Sequence, residues 1–197
     1  SSDLADRIGR RLREPVTAGG ESRWVMDTST FTHFCRAKRE DVLQQLAPRG
    51  LILIPDSVDV EISRGRERGY DLPDIDSLPW VERGILTEDE QNLQMLIKVD
   101  MPSGDVPTKN LGECAVLACA TTRGMIAVID DGDARAQARA RNLRFVTTMH
   151  IVIEAYKRSR DTEEAEQLYE ALLATDMRLP RVDSVIGWAY EVGLLPA

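Results

Sequence analysis

The chain has 197 residues, 43% of them apolar, 29% charged and 5% aromatic, which suits one domain with a core of its own and excludes a disordered chain. No apolar run approaches the roughly 20 residues that span a bilayer and no signal-peptide core opens the sequence, so no membrane partner is expected. The odd set Cys35, Cys114 and Cys119, with no CxxC pair, reads as reduced thiols of a cytoplasmic protein. A formal charge of −8, from 25 basic and 33 acidic residues, disfavours a nucleic-acid partner at face value.

The charge is uneven. Residues 161–197 hold two basic and eight acidic groups, a net −6, whereas residues 130–160 hold seven basic and four acidic, a net +3. In chain order, Leu4, Ile8 and Leu12 alternate with Arg7, Arg10, Arg11 and Arg13, the pattern of an N-terminal arm or amphipathic helix over 1–23. Trp24-Val25-Met26 is a short apolar run that stops at Asp27, and Thr28-Ser29 opens a helix. Helical spacing then runs from Phe31 to Leu46. Leu51-Ile52-Leu53-Ile54 reads as a strand buried on both faces, with Pro55 suited to the first turn of a helix carrying Val58, Glu61 and Ile62.

Residues 64–79 are loop-like, with Gly65, Gly69, Pro73 and Pro79. Thr87 to Glu90 has capping-box spacing ahead of Leu93, Leu96 and Ile97, and Asn110 to Thr122 is a strongly apolar helix. Met125 to Ile129 is a second buried strand, ending at Asp130-Asp131. A helix over Asp133 to Arg141, a strand Phe145-Val146-Thr147 and a helix Met149 to Tyr156 follow. Asp161 opens a C-terminal helical extension, 158–197, split near Pro180. The alternation predicts an α/β fold with a central parallel sheet covered by helices on both faces.

Two of these strands end in carboxylates, and parallel α/β sheets bind ligands outside the carboxyl ends of their strands. Two further acids, Glu61 and Glu113, lie in otherwise apolar helices, where an ionised carboxylate is costly unless paired. Clustered oxygens without His or Cys suit Mg²⁺ or Mn²⁺ rather than Zn²⁺. Each acid also has an ordinary reading. Asp27 would cap a helix, Asn110 and Glu113 have capping-box spacing, Asp130-Asp131-Gly132-Asp133 would form a turn and cap, and Glu61 would be a solvated residue beside Arg64.

Trp24-Val25-Met26-Asp27-Thr28-Ser29, the run from Ile54 through Glu61 to Ile62, Leu111-Gly112-Glu113-Cys114-Ala115 and Val128-Ile129-Asp130-Asp131-Gly132-Asp133-Ala134-Arg135 together resemble the PIN domain family, closest to its VapC-like toxins. The likeness runs over 24–157 and takes in Phe145 to Tyr156 as the last strand and helix. It implies a three-layer PIN-like fold and a Mg²⁺- or Mn²⁺-dependent endoribonuclease, the toxin of a toxin–antitoxin pair. An antitoxin protein and a second copy of the chain are the implied partners besides RNA.

Carried across, Asp27, Glu61, Glu113 and Asp131 are the catalytic acids. Asp27, Glu113 and Asp131 are also metal ligands, with Asp130 competing for the strand-end role and Asp133 auxiliary. The rival reading is a non-catalytic PIN-like module that binds RNA or protein. Arg135 and Arg139, four apart on one helix face, and Arg64 are candidate phosphate contacts. Compact toxins of this type lack an N-terminal arm, and many end before a tail of this length.

Overall fold

The computed structural model describes residues 23–102 and 109–196; the basic arm read over 1–23 lies, but for Arg23, outside them. Five short strands form one parallel sheet in the order β3-β2-β1-β4-β5: β1 (Trp24–Met26), β2 (Ile52–Pro55), β3 (Val81–Gly84), β4 (Ile126–Val128) and β5 (Phe145–Val146). Strands β1, β2 and all but the start of β4 are buried on both faces, as their continuous apolar runs require. Among the described residues nine α-helices cover the sheet: α1 (Thr28–Arg36), α2 (Glu40–Leu46), α3 (Asp56–Glu67), α4 (Glu88–Asp100), α5 (Leu111–Arg123), α6 (Gly132–Ala140), α7 (Thr148–Ser159), α8 (Thr162–Leu173) and α9 (Val185–Glu191). The result is the expected three-layer α/β fold.

Helix α5 is the central packing element. Cys114 to Ala120 are all buried, and their small side chains let the helix lie close against β1, β2 and β4 while touching α3, α4 and α6. Helices α1, α2, α7, α8 and α9 form a second connected layer, in which Leu168, Tyr169 and Leu172 of α8 and Val185 and Ala189 of α9 join the same core as the sheet. The Tyr169 hydroxyl donates to the Pro180 carbonyl at 2.6 Å, tying the α8–α9 connection down. None of the described helices is long and apolar enough to cross a membrane.

Three local expectations change. The stretch from Phe31 to Leu46 is two helices, broken where Lys38 adopts a left-handed φ of 57° that a continuing helix does not allow. Helix α3 continues to Glu67 through Gly65, into the stretch read as loop; the bare Cα of Gly65 leaves room for Leu72, a methyl of which a Cβ there would meet at 3.0 Å. Strand β3 was not indicated by any apolar run. It is an edge strand in which Glu82 and Arg83 face solvent.

Candidate active site

The sheet's connections leave β1 in one direction and reach β4 in the other, so the strand order reverses between β1 and β4, and the carboxyl ends of strands at such a reversal are where open parallel sheets bind ligands. Asp27 stands there. Its amide donates to the Val128 carbonyl at 3.1 Å, which fuses it to β4, and its side chain caps α1 by accepting from the Thr30 amide at 2.8 Å. The capping role read from sequence is therefore real, yet the residue is 1% exposed, far beyond what a cap needs. Burial, then the charge of Asp130 and, more weakly, of Glu113, push its carboxyl from 3.8 up to about 8, against the opposing hydrogen bond from Thr30.

Asp130, after β4, is held by three donors. The Thr30 hydroxyl reaches one oxygen at 2.7 Å, the Thr148 hydroxyl the same oxygen at 2.5 Å, and the Thr148 amide the other at 2.9 Å. Its own amide lies 3.3 Å from the second Asp27 oxygen. Asp131 caps α6 through the Ala134 amide at 2.8 Å. Adjacent residues of one strand end thus serve different neighbours, Asp130 towards α1 and α7 and Asp131 towards α6.

Glu113 occupies the first turn of α5. Its carboxyl is raised by burial and by the charges of Glu61 and Asp131, while its own backbone and Lys98 oppose the rise. The capping box expected of Asn110 and Glu113 is not formed. Asn110 enters the helix at a φ of 64° and makes no side-chain cap. Glu61, on α3, accepts from the Thr28 hydroxyl at 2.6 Å, and its carboxylate lies over the bare Cα of Gly112. A Cβ on Gly112 would come within 2.8 Å of a Glu61 oxygen, so the glycine makes the room that brings Glu61 beside α5.

Asp27, Glu61, Glu113, Asp130 and Asp131 are therefore one electrostatically linked group, drawn from the ends of β1 and β4 and from helices α3 and α5. Asp133 is exposed in the first turn of α6. As the side chains stand, no three His, Cys, Asp or Glu residues among the described ones form a group that could hold a metal ion. The donor chemistry nevertheless fits a hard divalent cation: the set is all oxygen, and the carboxyls of Asp27 and Glu113 are raised first by burial and then by neighbouring carboxylates, both of which a cation would offset.

The candidate phosphate contacts are dispersed. Arg135 is half-buried and its Nε is buried with no hydrogen-bond partner; Arg139 is exposed and lays its guanidinium over the Phe145 ring at 5.3 Å; Arg64 is exposed on α3, one turn beyond Glu61. The hydroxyls of Thr28, Thr30 and Thr148 were the functional groups least visible in the sequence. Thr28 reads from the sequence only as a helix-opening residue. The cap of α7 is Thr147, paired reciprocally with His150, which frees Thr148 for Asp130.

No curated protein matches the chain at a significant level. The family model DUF3368, a PIN domain, matches residues 23–183, from the start of β1 through α8. With four-fifths of its length so matched, the chain belongs to the PIN domain family.

Proposed function

We propose that this chain is a divalent-cation-dependent endoribonuclease whose working acids are Asp27, Glu61, Glu113 and Asp131. The observation that carries the reading is the fully buried Asp27 carboxyl, pushed up to about 8 by burial and by neighbouring carboxylates at the point where the strand order reverses. Such an accumulation of negative charge destabilises a protein unless a ligand offsets it. Asp27, Glu113 and Asp131 would hold the cation, Mg²⁺ or Mn²⁺ by their oxygen chemistry, with Asp130 and Asp133 next in reach along the chain.

When bound, the cation supplies Lewis-acid stabilisation of charge on the phosphodiester and a water of lowered pKa. The chain's own contribution is orientation. Thr28 fixes Glu61, and Thr30 and Thr148 fix Asp130 against the end of β4. Arg135, Arg139 and Arg64 are offered to the backbone of an RNA strand. The finer proposal is that the enzyme is the toxin of a toxin–antitoxin pair, which its motif resemblance supports. Growth arrest on expression, relieved by a small protein encoded beside it, tests that part.

The direct test is cleavage of RNA by the purified chain with Mn²⁺, Mg²⁺ or chelator, alongside Asp27→Asn and Glu113→Gln. Both variants should fold and lose metal-dependent cleavage; undiminished cleavage in both would overturn the assignment. The rival reading, a module that binds RNA or protein without cutting, is favoured by two observations: both Asp130 oxygens are taken by threonine donors, and among the described residues no three acids form a group that could hold a metal ion. RNA retained intact in the presence of Mn²⁺ is its signature.

A further inference from the structure

Tyr70 carries an aromatic ring that the roles above do not use. Helix α3 ends in a left-handed turn. Gly69 has a φ of 90°, its amide donates to the Arg66 carbonyl at 2.8 Å, and the Tyr70 amide donates to the Gly65 carbonyl at 3.2 Å. In this helix ending the residue after the glycine often packs its side chain on the last turn. Here the position beneath it is Gly65, which has no side chain, and a Cβ there would stand 3.5 Å from the Tyr70 ring. The backbone thus fixes Tyr70 in place, yet the residue stays 51% exposed.

The end of α1 holds the ring from a second side. Arg36, the last residue of that helix, lays its guanidinium over the Tyr70 ring at 4.9 Å from the centroid, and Lys38 pairs with Asp71, next in the chain. Nearer the acids, the same two helices are joined by Thr28 of α1 and Glu61 of α3. Eight steps along α1, at about 1.5 Å each, carry the chain about 12 Å from Thr28 to Arg36. Along α3, Arg64 and the capping Arg68 follow Glu61 at helical spacing, and both are exposed.

We propose that Tyr70, steadied by Arg36, is a base-stacking subsite that receives an unpaired base of an RNA strand a few nucleotides from the acid cluster. The inference rests on RNA being the substrate. Stacking needs an aromatic ring that is fixed and open to solvent, and it tolerates any base. The half-exposed ring, its backbone-tied turn and the guanidinium over it meet those needs. Arg64 and Arg68, between the ring and Glu61, lie along the path that the phosphates of such a strand would take.

Fluorescence anisotropy of a labelled single-stranded oligoribonucleotide tests this, in chelator and, on the Asp27→Asn background, in Mn²⁺. The control is the same ribose-phosphate strand carrying no bases. Tyr70→Leu should bind the full strand about tenfold more weakly and the abasic strand as its parent does. Tyr70→Phe, which keeps the ring, should match the parent on both. The salt dependence of binding should be unchanged in Tyr70→Leu and shallower by about one counterion in Arg64→Gln.

An equal loss on both strands would make Tyr70 a structural residue of the turn, and no loss on either would leave the ring to a protein contact. Each result overturns the subsite and leaves the nuclease reading standing. A base-dependent loss in a chain that cuts no RNA keeps the subsite and removes the enzyme. If no single strand binds in either setting, RNA is not the ligand and both readings fall.

Discussion

Replacing Asp27 by Asn removes the ionisable group from the centre of the acid cluster while preserving its geometry. The Asn side-chain oxygen can accept from the Thr30 amide as the carboxylate does, and Asn ranks with Asp as a helix cap. Asp27 is raised from 3.8 to about 8, first by burial and then by Asp130. The folded state therefore keeps a proton that the unfolded chain has already released, so stability is full below about pH 4 and falls as pH rises towards 8. At pH 7 roughly three pH units separate the assay from the unfolded pKa. At 1.36 kcal/mol per unit the fold loses about 4 kcal/mol relative to acid solution.

Asn escapes this loss. Side-chain relaxation and water entry reduce the figure, but even a quarter of it, about 1 kcal/mol, moves Tm by about 2–4 °C in a chain of this size. Thermal unfolding in chelator should show Asp27→Asn melting above wild type at pH 7 and further above it at pH 8.5, with the gap closing towards pH 4. Mn²⁺ should close it from the other side, by stabilising wild type alone. A variant that melts below wild type at pH 8.5 in chelator would refute the reasoning, because the Asp27 charge would then be a favourable part of the metal-free fold.

Two further perturbations probe the site and the far end of the helix that carries Glu113. Gly112→Ala places a Cβ within 2.8 Å of a Glu61 oxygen. The carboxylate is the mobile end of its side chain and must move aside, so RNA cleavage should fall by about 10²-fold, the cost of an ångström's misplacement, while Tm stays within a few degrees of wild type. Retained cleavage would remove Glu61 from the working set. Arg123→Met strands the buried Glu90 carboxylate, which Arg123 and Thr122 hold at about 2, and should cost about 3 kcal/mol in denaturant unfolding at pH 7. That contribution is present above the unfolded pKa and is lost as pH falls from about 4.5 towards 2, so the loss should shrink in acid.

What the sequence makes legible follows from burial. Strands β1, β2 and β4 are covered on both faces and announce themselves as unbroken apolar runs, and the acids that end β1 and β4 are conspicuous because the runs stop at them. Strand β3 has no such constraint, so Val81-Glu82-Arg83-Gly84 carries no run. Glu61 and Glu113 stand out as charges in apolar helices, but their closeness depends on an absent side chain, at Gly112, and a glycine next to a helix start has many ordinary reasons to be there. Thr30 and Thr148 are 118 positions apart and meet only through Asp130. No local pattern encodes such a meeting, because it is made by the register of β1 on β4 and by the turn into α7.

The Asp130-Asp131 doublet gains its meaning from that same geometry. Successive residues leaving a strand point in different directions, and here one carboxylate turns to the threonines of α1 and α7 while the other caps α6. Asp130 is the larger charged influence on Asp27, and Asp131 adds to the repulsion at Glu113, so the pair joins both halves of the cluster. Three donors already occupy Asp130, whereas Asp131 gives one oxygen to a cap; the proposed cation is thus better served by Asp131, and Asp130 by its role as a tie. This also changes what the net charge means. Residues 24–160 carry 18 basic and 21 acidic groups, a net −3, and one divalent cation would bring them to −1. With the excess acidity placed in the C-terminal helices, a chain of −8 still leaves the strand ends of β1 and β4 and the arginines of α6 compatible with a polyanionic strand.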